Sequence, residues 1–322
     1  MSNPPPPFSR GQPVFLAGPT AVGKSAVALA LAEAIGGEII SVDSMQVYRG
    51  LDVGTAKPTA AERARAPHHL LDVCALHAAF DAAQFVRLAH LAAAEIQARG
   101  RTPIFCGGTG LYFTAFLEGL GDAPPADVSL RARLETIPLA ELIAELRERD
   151  PAAFDQIDRN NPRRVLRAVE VIRLTGRKYS EQRAAWAGVS AARPPAAASA
   201  RLCLTRTPED LRRRIHARVE EMFAGGLVEE TRRLLAQGLA QNPNAMQAIG
   251  YRQVVEYLRG ERGLAETIEL VKIRTRQFAK RQLTWFRRRG DWRWLELQPG
   301  ESADETLARA FPAGGTTLAA AE

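Results

Sequence analysis

Short unbroken apolar runs alternate with longer segments whose apolar residues recur every three or four positions. Pro13 to Ala17 reads as a buried strand, and Ala26 to Ile35 reads as a helix stopped by Gly36-Gly37. Glu38 to Val42 is a second strand. Asp81 followed by Gln84 resembles a capping box, and Phe85, Leu88, Ala92 and Ile96 then hold helical spacing up to Arg99-Gly100. Thr102 to Cys106 is a third strand. From about Gly121 to Gly176 the pattern is helical throughout, punctuated by Asp, Asn, Pro and Gly stops, with no strand between. Ala184 to Ala200, rich in Ala and carrying Pro194-Pro195, reads as a return linker. The sheet then resumes with Arg201 to Thr205, and Thr207-Pro208-Glu209-Asp210 opens a helix that stops at Gly225-Gly226. The pattern predicts an α/β fold, a parallel sheet flanked by helices, with an all-helical insertion domain. The expected domains are a disordered leader at 1–12, a core built from 13–120 and 201–300, the insertion at 121–200, and a flexible tail at 301–322.

Composition narrows the field little, because it is that of an ordinary globular protein. The 322 residues hold 43 Lys and Arg against 36 Asp and Glu, a formal charge of +7 that bears on partners only where it clusters. Cys74, Cys106 and Cys203 are widely spaced and form no C-x-x-C pair, which argues against structural zinc and against a disulfide framework. A reducing, cytoplasmic setting is expected. The start of the chain is Pro-rich, and no stretch approaches the length of a membrane span, so neither secretion nor membrane insertion is expected.

The decisive stretch is Gly18-Pro19-Thr20-Ala21-Val22-Gly23-Lys24-Ser25, which fits the phosphate-binding loop pattern and lies between a strand and a helix, the context that pattern requires. In such a P-loop core, backbone N–H groups and the helix N-terminus converge on an anion, Lys24 adds a point charge, and the Ser25 hydroxyl can hold Mg2+. Asp43 follows the second strand and so belongs at the ligand crevice near Lys24; a turn-capping role and a magnesium-holding role are the alternatives. The third strand runs into a second glycine-rich loop, Gly107-Gly108-Thr109-Gly110, whose glycines are expected to admit a ligand to the backbone and whose Thr109 offers a hydroxyl. The adjacent His68 and His69 lack metal-ligand spacing and read as packing residues. In the insertion, Asn161 is an N-cap with Pro162 as the first helical residue; Val165, Leu166, Val169 and Ile172 make the apolar face, and Arg163, Arg164, Arg167 and Arg173 lie largely off it. Lys272 to Arg289 interleaves basic residues with Gln277, Phe278, Gln282, Trp285 and Phe286, a mixture suited to RNA backbone contact and base stacking.

Taken in order, the phosphate loop, Asp43-Ser44-Met45-Gln46-Val47-Tyr48, Gly54-Thr55-Ala56-Lys57-Pro58, His68-His69-Leu70, Gly107 to Tyr112, Gly250-Tyr251-Arg252-Gln253, and Thr275-Arg276-Gln277 through Trp285-Phe286-Arg287 resemble the bacterial tRNA dimethylallyltransferases, also called tRNA isopentenyltransferases. That resemblance implies transfer of a dimethylallyl group from dimethylallyl diphosphate to the exocyclic amine of the adenine 3′ of the anticodon. It implies Lys24, Thr109 and Arg214 acting on the leaving diphosphate in the cradle Gly18 to Ser25, Mg2+ held through Ser25, and Asp43 accepting from the attacking amine. On the tRNA side it implies Asp43, Ser44, Met45, Gln46, Thr109, Arg131, Asn160, Asn161, Pro162, Arg163, Arg164, Arg167, Gly250, Tyr251, Arg252, Gln253, Lys280, Arg281, Gln282, Trp285 and Arg287. The partners expected are the tRNA anticodon stem-loop and dimethylallyl diphosphate, and a monomer. Prenylation of free adenine nucleotides, a P-loop small-molecule kinase and a noncatalytic RNA-binding module are the rival readings; the basic insertion and the basic-aromatic helix count against the first two, the complete phosphate loop against the third.

Overall fold

A computed structural model of the chain describes residues 11–184, 200–288 and 292–312. Most of the leader expected at 1–12, most of the linker expected at 184–200, and the end of the tail expected at 301–322 lie outside the described residues. Two units divide the chain, Met1–Phe113 with Pro194–Glu322, and Thr114–Arg193.

In the first unit, β1 (Val14–Ala17) is followed by α1 (Lys24–Ile35), β2 (Glu38–Val42), α2 (Ala60–Arg65), β3 (His68–His69), α3 (Ala82–Ala98), β4 (Pro103–Gly107) and α4 (Gly110–Glu118). The chain passes from the first unit to the second inside α4, at Thr114, one helix earlier than the pattern change at 121 suggests. The second unit contains α5 (Val128–Glu135), α6 (Leu139–Arg149), α7 (Pro151–Gln156), α8 (Pro162–Thr175) and α9 (Tyr179–Ala184). The first unit resumes with β5 (Ala200–Thr205), α10 (Pro208–Ala224), α11 (Leu227–Ala236), α12 (Tyr251–Leu258), α13 (Leu264–Arg287), β6 (Arg293–Glu296) and α14 (Ala303–Ala310).

The sheet order is β3-β2-β4-β1-β5-β6, and every pairing is parallel. All strands therefore end on the same side, and in register: Ala17 lies beside Gly107 and Cys203, and Val42 beside Gly107. Because both faces are covered, the strands are apolar at successive positions. Val14, Leu16, Ile39, Ile104, Leu202 and Leu204 join one core with Val27, Leu31, Ile215 and Val271. Phe15 and Phe105 point the other way, stacked at 4.9 Å, where Phe113, Phe286 and Trp292 meet edge to face.

Three elements depart from what the hydrophobic pattern predicts. β3 is two residues long and β6 mixes Arg and Glu with Trp and Leu, so neither carries a periodic signal. The expected flexible tail contains α14. Ser302 and Glu305 form a reciprocal capping box, and Ala310, Leu307 and Phe311 pack into the core that α1 also lines. Low sequence complexity hid a helix whose start signal was present.

The second unit has its own core of Leu134, Leu142, Leu146, Val165, Val169 and Ile172. Its helices start where short polar side chains satisfy free backbone donors: Asp127 accepts from Leu130 N–H (2.7 Å), Asp150 from Ala153 N–H (3.0 Å), and Asn161 from Arg164 N–H (3.4 Å) ahead of Pro162. No helix among the described residues is long and apolar enough to cross a membrane.

Candidate active site

The phosphate loop leaves the carboxyl end of β1 and is pinned by four side chains. Gln282 Oε1 accepts from Thr20 N–H (2.8 Å), Arg214 Nε donates to the Ala21 carbonyl (2.9 Å), Arg206 Nε donates to the Val22 carbonyl (2.8 Å), and Lys24 Nζ donates to the Pro19 carbonyl (2.7 Å). Gly18 and Gly23 hold φ of 147° and 112°, and a Cβ on Gly18 would lie 2.6 Å from the Leu204 carbonyl oxygen, so both positions need glycine. Gly23 caps α1 with no side-chain hydrogen bond to the first turn. The N–H groups of that turn are therefore not satisfied by a capping side chain, and the exposed Ser25 stands at its edge.

Asp43 follows β2 and closes its own turn: Oδ1 accepts from the N–H groups of Met45 (2.8 Å) and Gln46 (3.2 Å). The capping reading and the ligand-facing reading are compatible, because one carboxylate oxygen does the capping and leaves the second for another donor. Thr109 Oγ1 accepts from Ser44 N–H at 3.2 Å, which ties the turn after β2 to the loop after β4. Gln46 takes a hydrogen bond from Ser41 Oγ (2.8 Å) and donates to the Thr55 and Ala56 carbonyls.

The second glycine loop is built for protein packing rather than for the approach of a ligand to its backbone. A Cβ on Gly107 would lie 2.1 Å from the Val42 carbonyl oxygen, one on Gly108 2.1 Å from Gln282 Nε2, and one on Gly110 2.1 Å from the Trp285 ring. The glycines admit β2 and α13, and this corrects the expectation that they admit a ligand.

Charge concentrates where the strands end. Burial pushes the Lys24 ammonium down to about 8, with Arg218 pushing the same way and Cys106, Asp43 and Cys203 opposing. Arg218, on α10 one turn beyond Arg214, is drawn below the ordinary guanidinium range by its own burial, against the pull of Asp43. Lys24, Arg218 and Asp43 thus share one electrostatic neighbourhood. In the sequence Arg218 is only one of several arginines on a basic helix; its phase on α10 is what distinguishes it. Burial raises the Cys106 and Cys203 thiols to about 11 and about 12, so both are neutral packing groups at neutral pH.

Several residues expected at an RNA surface do internal work. Tyr251 is fully buried; its hydroxyl donates to Glu230 (2.5 Å) and accepts from Gly54 N–H (3.1 Å), and Glu230 also accepts from Val53 N–H (3.0 Å). Gln253 is buried and accepts from Gly250 N–H (2.9 Å), which starts α12. Gln282 is 7% exposed, with both ends of its amide used. Arg131 and Arg167 both donate to Oε2 of the fully buried Glu170, each at 2.7 Å. Asn160, Pro162, Arg163, Arg164, Arg252, Lys280, Arg281 and Arg287 are exposed, as an RNA surface requires; Trp285 is half-buried against Gly110. His69 Nε2 lies 2.6 Å from the buried Glu38 carboxylate, which Arg99 also meets (2.7 Å), in keeping with the packing role expected of the histidines.

Residues 46–289 match the family model of the IPP transferases. The chain belongs to this family. It is 45% identical to tRNA dimethylallyltransferase 1 of Citrifermentans bemidjiense over 290 residues, covering 90% of this chain and 93% of that one. Among solved structures it resembles the full-length tRNA isopentenylpyrophosphate transferase of Bacillus halodurans (38% identity, TM-score 0.68, covering 93% of this chain and 94% of that one). It also resembles a eukaryotic dimethylallyltransferase studied acting on tRNA (28% identity, TM-score 0.72, covering 88% and 74%).

Among the described residues no three His, Cys, Asp or Glu side chains gather as a metal site. The exposed Ser25 hydroxyl could give a Mg2+ ion one protein ligand, with phosphate oxygens and water completing the shell, which is the usual way Mg2+ is held beside phosphates.

Proposed function

We propose that the chain transfers the dimethylallyl group of dimethylallyl diphosphate to the exocyclic amine of the adenine 3′ of the anticodon in tRNA. The observation that carries this reading is a phosphate loop held by Lys24 and Arg214 and tied through Gln282 and Thr109 to the turn that Asp43 caps, in a chain of the IPP transferase family. The diphosphate lies in the phosphate loop, on the first turn of α1. Lys24 turns from the Pro19 carbonyl to the leaving oxygens, and Arg214, Arg218 and Thr109 border the same charge. The bond from the allylic carbon to oxygen breaks, the electron pair leaves with the diphosphate, and these cations stabilise the charge as it develops. The adenine amine forms the new carbon–nitrogen bond. Its lone pair is delocalised into the ring, so it needs help: the second oxygen of Asp43 accepts the amine's hydrogen bond and then its proton. Mg2+ bound at Ser25 would neutralise part of the diphosphate charge. The base leaves the RNA stack to reach the carbon, and Arg163, Arg164, Lys280, Arg281 and Arg287 supply phosphate contacts.

The test mixes the protein with labelled dimethylallyl diphosphate and, separately, unmodified tRNA or adenosine monophosphate, with labelled ATP as a third arm. Label transferred to tRNA supports the reading. Transfer to the free nucleotide alone, or phosphoryl transfer from ATP without prenylation, would replace it.

A further inference from the structure

We propose that Gln282 is a positioning residue that sets the spacing between the diphosphate cradle and the carboxylate that receives the attacking amine. The inference rests on the transfer reaction above and adds to it a residue that touches neither substrate.

Gln282 stands in the last third of α13, a 24-residue helix. Its Oε1 accepts from Thr20 N–H at 2.8 Å and its Nε2 donates to the Gly108 carbonyl at 3.0 Å. Thr20 N–H is only a donor and the Gly108 carbonyl only an acceptor, so the amide has one orientation that satisfies both. The contact is close: a Cβ on Gly108 would meet Nε2 at 2.1 Å, so any side chain there displaces the Gln282 amide. From one end the path runs through Pro19, whose carbonyl holds Lys24 Nζ. From the other it runs through Thr109, whose Oγ1 holds Ser44 N–H beside Asp43. Every step between Lys24 and Asp43 is then a covalent bond or a hydrogen bond, and the Gln282 amide joins the loop after β1 to the loop after β4.

In the transfer, the leaving oxygen and the incoming nitrogen act on one carbon. Widening the gap between the two loops lengthens one of these distances or the other. A misplacement of about 1 Å in such a geometry costs on the order of 100-fold in rate. An amide bonded at both ends from a rigid helix resists that widening; a side chain of similar length that cannot bond both loops does not.

The experiment uses the full chain, tRNA and dimethylallyl diphosphate at saturation. It reads the single-turnover rate, the dissociation constants of tRNA and donor, and the thermal midpoint. Gln282→Met should lower the rate by roughly 10 to 100-fold, with both dissociation constants within about threefold of the parent. Gly108→Ala keeps the amide but displaces it, and should give a similar loss. The double variant should be no slower than the slower single, since both changes break one link. A parental rate in a folded Gln282→Met protein overturns the inference, as does a loss confined to tRNA affinity, which would make Gln282 an RNA contact. So do losses that multiply in the double variant. If Gln282→Met does not fold, a parental rate in Gly108→Ala overturns the inference on its own. A parent that makes no prenylated tRNA overturns the transfer reading itself.

Discussion

Arg167 donates from Nη1 to Oε2 of Glu170 at 2.7 Å, and from Nη2 to the Pro124 carbonyl at 2.5 Å, so this arginine neutralises a carboxylate that has no access to water. Arg131 meets the same oxygen from α5, and Asp127 N–H meets the other (3.2 Å). The basic residues of α8 thus divide: Arg167 is structural, Arg173 pairs with Glu145 (2.6 Å), and Arg163 and Arg164 are exposed at the helix start.

Arg167 and the exposed pair should separate experimentally. Arg167→Ala leaves a buried carboxylate short of one charged donor and should lower stability by about 1 to 3 kcal/mol, read as a shift in the urea midpoint at unchanged slope. Replacing Arg163 and Arg164 together by Ala changes only exposed side chains and should move that midpoint less than Arg167→Ala does. It should instead flatten the salt dependence of tRNA binding, by roughly 0.7 to 0.9 in the slope of log affinity against log salt for each phosphate that is no longer neutralised. A parental slope in the double variant would remove these arginines from the interface.

Lys24 predicts a pH limb. Burial holds its ammonium at about 8, below the 10.5 of an unburied lysine, so the native protein loses this proton as pH rises through about 8. The cation serves the leaving group, and kcat/KM for the donor should therefore fall above about pH 8. Lys24→Ala should lower kcat by about 100 to 1,000-fold with little change in tRNA affinity, and should lose the limb. A limb that persists in the alanine variant would belong to another group.

Asp43→Asn tests base against cap. The Asn side-chain carbonyl can still accept from the Met45 and Gln46 N–H groups, so the thermal midpoint should stay close to the parent's. The proton acceptor is gone, and single-turnover transfer should fall by roughly 100 to 10,000-fold. Transfer at the parental rate would leave Asp43 with the turn alone.

Tyr251→Phe removes the hydroxyl that links Glu230 to Gly54 N–H. The expected cost is about 1 to 2 kcal/mol of stability, read by denaturant unfolding, with the tRNA dissociation constant unchanged. A selective loss of tRNA affinity would restore Tyr251 to the RNA surface.

What could be read from the chain was what its neighbours in sequence determine. The phosphate loop carries its strand and helix with it, Asn161-Pro162 starts α8 as its residue types require, and Asp43 follows from the end of β2. What could not be read depends on partners far away. Gln282 meets Gly108 across 174 positions, and no local pattern distinguishes an amide aimed at RNA from one aimed at a carbonyl. The helical pattern showed Arg167 as an available cation and the resemblance gave Arg131 to the tRNA, because neither records the burial of Glu170. Glycine after β4 signals close approach; it does not say whether a ligand or Trp285 approaches. Ser302 and Glu305 are the exception, a local start signal masked by an alanine-rich context.

The pairing of β1 with β4 on one edge and β5 on the other has a consequence for how the protein is made. β4 ends at Gly107 and β5 begins at Ala200, with the whole second unit encoded between them. On the ribosome, the central strand of the sheet must wait with one edge unpaired until that intervening unit has emerged. Such an edge is a template for wrong partners. Production of the chain should accordingly be sensitive to synthesis rate and to chaperone supply, and fragments that stop before β5 should aggregate where the full chain does not.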